Sequence, residues 1–185
     1  KFPYHISNRK IFTMHRSFPI IIVICLLIPI SFAKPTIQKI SNSSASSTLA
    51  TQFLTLQNGA RATLRLRPLV WDSKLERYAT LYANRRRKDC ALVHSNGPYG
   101  ENIFWGSGDG WTPAQAAAAW ISERDWYSYR ANSCARGEEC GHFTQIVWKN
   151  TMRVGCARVT CLRGKGVFMT CNYDPPGNFI GERPY

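Results

Sequence analysis

The chain has no apolar run long enough to cross a membrane as a helix, which takes roughly 20 residues. The apolar stretch 18–30 is shorter and carries Pro19 and Pro29. No Cys-x-x-Cys spacing occurs, which argues against the usual zinc-ribbon and finger arrangements. No His-Glu-x-x-His motif, no serine or cysteine nucleophile motif, no nucleic-acid motif and no internal repeat are found. Acidic residues are scarce: eleven Asp and Glu stand against twenty-four Lys and Arg, a net charge of +13. Such an excess favours anionic partners, acidic polysaccharide or membrane headgroups, over nucleic acid in an exported protein.

Export itself is read from residues 14–33. Met14-His15-Arg16, the apolar run and Ser31-Phe32-Ala33 are the basic, apolar and small-residue parts of a secretory signal, cleaved after Ala33. A retained membrane anchor is the competing reading. Residues 1–13 are read as an upstream segment outside the mature protein, and 34–47 as a Ser-rich flexible leader. Asn42-Ser43-Ser44 is a glycosylation sequon. Four of the cations precede residue 34, so the mature chain carries +9. Its 152 residues suit a single domain with a sizeable core, residues 48–185.

Leu49, Phe53, Leu56, Ala60 and Leu64 recur at helical spacing, and Pro68 ends that helix. Ser73 and Glu76 read as a capping box opening a second helix with Leu75, Tyr78, Ala79, Tyr82 and Ala83 on its apolar stripe. Arg85-Arg86-Arg87-Lys88 closes it, where cations complement the helix dipole. Residues 94–112, rich in glycine, read as a long loop of functional length. Thr112-Pro113 starts a third helix, to about Trp126, and a fourth spans about 141–149. Residues 154–161 and 166–173 alternate about Arg163-Gly164-Lys165 as a β-hairpin. The tail from Pro175 is too rich in Pro and Gly for regular structure. Helices followed by strands indicate an α+β fold or a helix–sheet–helix sandwich.

Cys25 lies in the signal, leaving six cysteines: an even number in an exported chain, hence three disulfides. Sequence allows 15 pairings. Hairpin register sets Cys156 opposite Cys171, while Cys161 points to the other face. Cys134 and Cys140 can close a small loop, which leaves Cys90 for Cys161.

After the signal only two histidines remain, His94 and His142. Glu101 follows His94 by seven residues. Glu123 shares a helical stripe with Ala116 and Trp120, where a carboxylate needs a partner. Two imidazoles and two carboxylates can hold a divalent ion, form a buried hydrogen-bonded network, or carry out acid–base chemistry; the spacing alone leaves all three open.

Gly100-Glu101-Asn102, the stretch Cys140-Gly141-His142-Phe143-Thr144-Gln145-Ile146-Val147-Trp148, and Cys171-Asn172-Tyr173-Asp174-Pro175-Pro176-Gly177-Asn178 resemble the signatures of the CAP superfamily. That superfamily joins cysteine-rich secretory proteins, venom antigen 5 and plant pathogenesis-related protein 1. The resemblance spans nearly all of 49–185, and the six-cysteine form ending in Pro184-Tyr185 is similar to the plant branch. It implies a three-layer α-β-α sandwich with Cys90–Cys161, Cys134–Cys140 and Cys156–Cys171 paired, in agreement with the register. It implies that His94, Glu101, Glu123 and His142 converge in a central cavity, which in some relatives binds a divalent metal, zinc foremost. It suggests sterol or lipid binding by an aromatic loop, here Tyr99, Phe104, Trp105 and Trp111, whose alternative role is to pack the loop. Residues 175–185, with Pro175, Gly177, Asn178, Pro184 and Tyr185, fit a signalling peptide that a dedicated protease releases after Asp174; the alternative is a tail packed on the body. The functional expectation is a secreted, monomeric defence protein of the apoplast or vacuole, antimicrobial against pathogen membrane or cell-wall surfaces and not an enzyme. A metal-dependent hydrolase or protease using the His/Glu cavity is the rival.

Overall fold

The structure, a computed structural model, describes residues 48–185. The upstream segment, the signal with Cys25, the leader and the Asn42 sequon lie outside the described residues.

Helix α1, Leu49–Thr63, is capped by Thr48, whose hydroxyl accepts from Thr51 N. Its fully buried row is Phe53, Gln57 and Arg61, while Leu56 is exposed. Leu49, Phe53, Ala60 and Leu64 of the stripe read from the sequence do pack on the core; Leu56 does not, and the stripe omitted two polar side chains that turn inward, Gln57 and Arg61. The Arg61 guanidinium explains why. It donates to the carbonyls of Arg67, Ile146, Trp148 and Thr151 at 2.7–3.0 Å, tying α1 to a distant loop. Burial lowers its pKa to about 10.

Strand β1 is Val70–Trp71, and α2 is Ser73–Arg86. The cap of α2 is Asp72, one residue before the expected Ser73: its carboxylate accepts from Lys74 N and Leu75 N. The Ser73–Glu76 box does not form, because Glu76 accepts instead from the Trp71 indole at 2.9 Å. Leu75, Ala79 and Ala83 face inward, and Arg85 and Arg86 occupy the last turn.

The expected loop 94–112 contains a strand, β2, Gly100–Gly106. Helix α3, Pro113–Ser122, has a Thr112–Gln115 capping box and tightens into a 3-10 turn, Glu123–Trp126, sooner than expected. A small hairpin follows, β3 (Tyr127–Ser128) and β4 (Ser133–Cys134). Helix α4, Gly141–Ile146, is shorter than read from the sequence. Strands β5, Arg153–Thr160, and β6, Val167–Asp174, form the expected hairpin about a short 3-10 turn, Leu162–Gly164.

The main sheet has the order β1-β5-β6-β2, antiparallel except for the parallel β1–β5 pair. One face packs Val154, Met169 and Tyr173 against Phe53, Trp120 and Ile146 of α1, α3 and α4. The other packs Ala157, Phe168 and Ile103 against Ala79 and Ala83 of α2. This is the three-layer α-β-α sandwich. Alternation along each strand sends successive side chains to opposite layers. The approach of α2 is so close that a Cβ on Gly155 would lie 2.1 Å from Glu76 N. All three expected disulfides are present, with Cys156 and Cys171 directly paired across β5 and β6. Among the described residues β2 is an edge strand of the sheet, and the Trp120 indole donates to its Ile103 carbonyl at 3.1 Å.

Candidate functional site

The four candidate residues form two imidazole–carboxylate pairs beside β2. Glu101, second in the strand, lies on the α2 face with its side chain 5% exposed. Its Oε1 is 2.8 Å from His94 Nδ1 and accepts from Ser95 N; its Oε2 accepts from Asn172 Nδ2. Burial alone would raise its pKa, but these hydrogen bonds outweigh it and hold Glu101 below its ordinary value. The same hydrogen bond, accepted by Glu101, raises the His94 pKa above its ordinary value, against the opposing effect of burial.

Glu123 begins the 3-10 turn after α3. Its Oε1 is 2.6 Å from His142 Nδ1, and its Oε2 accepts from His142 N and Phe143 N. Cys140 offers α4 no side-chain cap, so Glu123 supplies one from another helix. The Trp120 ring lies parallel to His142 at 6.0 Å. Glu123 thus has the partner that its place beside Trp120 demanded.

His94, Glu101 and His142 line one cavity of ≈ 400 Å³. Glu123 stands behind His142 and is not part of its wall. Glu138, Glu139, the Cys134–Cys140 bridge and Asn178 complete the wall, giving an acidic pocket in a basic protein. Sequence reasoning missed the two glutamates, although their place inside the Cys134–Cys140 loop was a usable signal. It also missed Asn102, whose Nδ2 donates to the His142 carbonyl and to the Tyr173 hydroxyl. The Tyr173 hydroxyl donates to Gln57 Oε1, so a buried relay runs from α1 to the site. Burial raises the Tyr173 pKa, so it stays a neutral donor.

Each imidazole has its Nδ1 committed to a carboxylate, leaving Nε2 as the nitrogen a metal would use; carboxylates stand behind ligating histidines in this way. Yet among the described residues no three His, Cys, Asp or Glu are grouped so as to hold an ion.

The four aromatic candidates do not form one surface. Phe104 and Trp105 are neighbours on β2 and so point to opposite layers. Phe104 packs on the main core and meets Trp111 edge-on at 5.3 Å. Trp105 lies over the β5–β6 turn, its indole donating to Lys165 O. Tyr99 meets Tyr78 of α2 at 5.1 Å. Trp105 and Trp111 are 43% and 36% exposed.

The tail from residue 175 is irregular, as expected, and packed on the body. Gly177 N donates to Gln145 Oε1, Lys149 N donates to Pro184 O, and the Tyr185 ring stacks on Tyr129 at 4.8 Å. A Cβ on Gly177 would come within 2.6 Å of the Trp148 ring. Asn178 borders the His/Glu cavity and two neighbouring cavities, of ≈ 320 and ≈ 310 Å³.

This sandwich, its three bridges and its paired His/Glu groups define a CAP domain. A family model described as the cysteine-rich secretory protein family matches residues 54–173, and the chain belongs to that family. Within it, the chain falls in the branch of plant pathogenesis-related defence proteins. It is 58% identical over 170 residues to pathogenesis-related protein PR-1 of Medicago truncatula, covering 92% of this chain and 98% of that protein. It is 49% identical to pathogenesis-related protein 1C of Nicotiana tabacum, covering 79% and 86%. Among solved structures, NaASP2 with Zn2+ superposes with a TM-score of 0.60 at 24% identity, over 77% of this chain and 88% of that one, a likeness of fold.

Proposed function

We propose that the protein is an exported, non-enzymatic defence protein of the apoplast or vacuole that binds sterols or similar flat lipids through the exposed aromatic surface between β2 and α3. The observation that carries this is the Phe104–Trp111 pair: an edge-on couple anchored to the core, with the Trp111 ring open to solvent. A rigid indole on a glycine-rich segment offers flat apolar area to a planar ring system at little entropic cost. Export is supported by the three disulfides, which belong to an oxidising compartment. No described helix is long and apolar enough to cross a membrane. A titration with radiolabelled sterol tests the reading. Saturable uptake lost in Trp111→Ala but kept in His142→Ala supports it; no saturable uptake by the unaltered protein removes it.

A second reading concerns the tail. Its middle, Phe179 and Ile180, is exposed, while its ends are held, as suits a segment that a protease must first loosen. Mass spectrometry of extracellular fluid after wounding or infection would detect residues 175–185 as a free peptide; repeated absence counts against release. Comparing the mature protein with a 175–185 deletion, for pathogen inhibition and for triggering host defence, separates the two roles. The rival metal-dependent hydrolase is disfavoured because the sequence carries no nucleophile motif and, among the described residues, no three His, Cys, Asp or Glu are grouped so as to hold an ion. Retention of every biological activity in His142→Ala would exclude it.

A further inference from the structure

The fold brings two cationic segments together at the end of the sheet away from the His/Glu cavity. One is the end of α2 with the residues just beyond it, Arg85, Arg86, Arg87 and Lys88. The other is the β5–β6 turn with Arg163 and Lys165. Leu162 N donates to Arg87 O at 2.8 Å, Arg87 Nε donates to Thr160 O, and the Cys90–Cys161 bridge staples the two segments. Of these six cations only Arg86 has a carboxylate in reach, Asp89 at 3.1 Å; the others have none among the described residues.

A helix end with a few solvated cations would need no explanation. Here a second group is fixed beside the first, and two large apolar side chains stand exposed among them: Trp105, 43% exposed, and Leu162, 44%. The Trp105 indole nitrogen is already satisfied by the Lys165 carbonyl at 2.9 Å, which holds its ring against the cationic turn. Clustered cations attract anionic headgroups, and tryptophan and leucine beside them suit the layer just beneath. An acidic polysaccharide would satisfy the cations and leave Leu162 without a role. We propose that this end of the molecule docks on bilayers bearing anionic lipids, the cations on the headgroups and Trp105 and Leu162 in the interfacial layer. The surface is separate from the Phe104–Trp111 pair, and docking does not depend on sterol uptake.

The test is flotation of the full mature protein with sterol-free phosphatidylcholine vesicles, with and without phosphatidylserine. Binding is expected only with phosphatidylserine, weakening as salt rises. The variant Arg85→Gln/Lys88→Gln/Arg163→Gln/Lys165→Gln should reduce partitioning by roughly 100-fold or more, since each cation near an anionic surface contributes appreciably. Removing as many exposed cations elsewhere, Lys74→Gln/Arg130→Gln/Arg136→Gln/Lys149→Gln, should reduce it only several-fold. In Trp105→Ala, quenching of tryptophan fluorescence by brominated lipid should fall. Equal losses in the two charge variants would reduce the effect to net charge and overturn the proposal. So would binding to polygalacturonate with the same variant dependence and none to vesicles.

Discussion

Asn178 in the tail accepts a hydrogen bond from Thr144 Oγ1 of α4 at 2.8 Å, and its amide donates to Gly141 O at the same distance. The tail is therefore tied to the helix that carries His142. Asn178→Ala removes both bonds, worth about 1 kcal/mol each. The tail should then open more often with the global melting temperature little changed. Hydrogen exchange of the amides of residues 177–185 and the rate of cutting after Asp174 by an added protease should both rise. Unchanged exchange would mean that the Tyr129–Tyr185 stack and the Lys149 contact hold the tail.

The His94–Glu101 pair makes stability depend on pH. His94 is held above its ordinary 6.5, so its contribution is full below that value and fades as pH rises through its raised folded value. Glu101 is held below its ordinary 4.5, so its contribution is full above that value and fades as pH falls through its lowered folded value. Support is greatest between the two. In His94→Gln the melting temperature should fall relative to the parent in mildly acidic buffer, with the gap narrowing in alkaline buffer. A constant gap would show that the imidazole acts only by packing.

Arg61 has four carbonyl partners and no carboxylate. Arg61→Ala strands those carbonyls in the core and should destabilise by about 3–5 kcal/mol. A fall in melting temperature of roughly 10 °C or more is expected in a domain of this size. Arg61→Lys should recover little, because one ammonium cannot reach all four.

The bridges differ in the chain they enclose. Cys90–Cys161 spans 71 residues and Cys134–Cys140 only 6. On chain entropy, replacing the first pair with alanine should cost about 4 kcal/mol and the second about 2 kcal/mol. The smaller bridge forms part of the His/Glu cavity wall, so its loss should change the cavity more than the stability. Denaturant melts of both variants check the order.

The sequence made the fold legible where a signal was local. The α3 cap announced itself in Thr112-Pro113, and the β5–β6 register set Cys156 opposite Cys171; the other two pairings followed from the short Cys134–Cys140 spacing and from what that left for Cys90. It failed where tertiary contact overrode local pattern. Strand β2 hides in a glycine-rich stretch because its partner, β6, lies about seventy residues away, and the β1 dipeptide is too short to show periodicity. Gln57 and Arg61 break the apolar stripe of α1 because the core there satisfies donors as well as excluding water. At the site, the need of Glu123 for a partner was readable from Trp120 and Ala116. The pairing of each glutamate with its own histidine was not, and neither was the share of the wall that falls to Asn102, Glu138, Glu139 and Asn178.

The bond from the Trp120 indole to the Ile103 carbonyl has a consequence beyond the packing of α3. Among the described residues no strand pairs with β2 on the side away from β6, and an unpaired edge of that kind invites strands from other copies to add on. One of its carbonyls, that of Ile103, is already taken by a buried ring, so a strand arriving there finds that acceptor occupied. Trp120→Phe would keep most of the packing and free that acceptor, trading a small loss of stability for a greater tendency to grow into fibrils when concentrated.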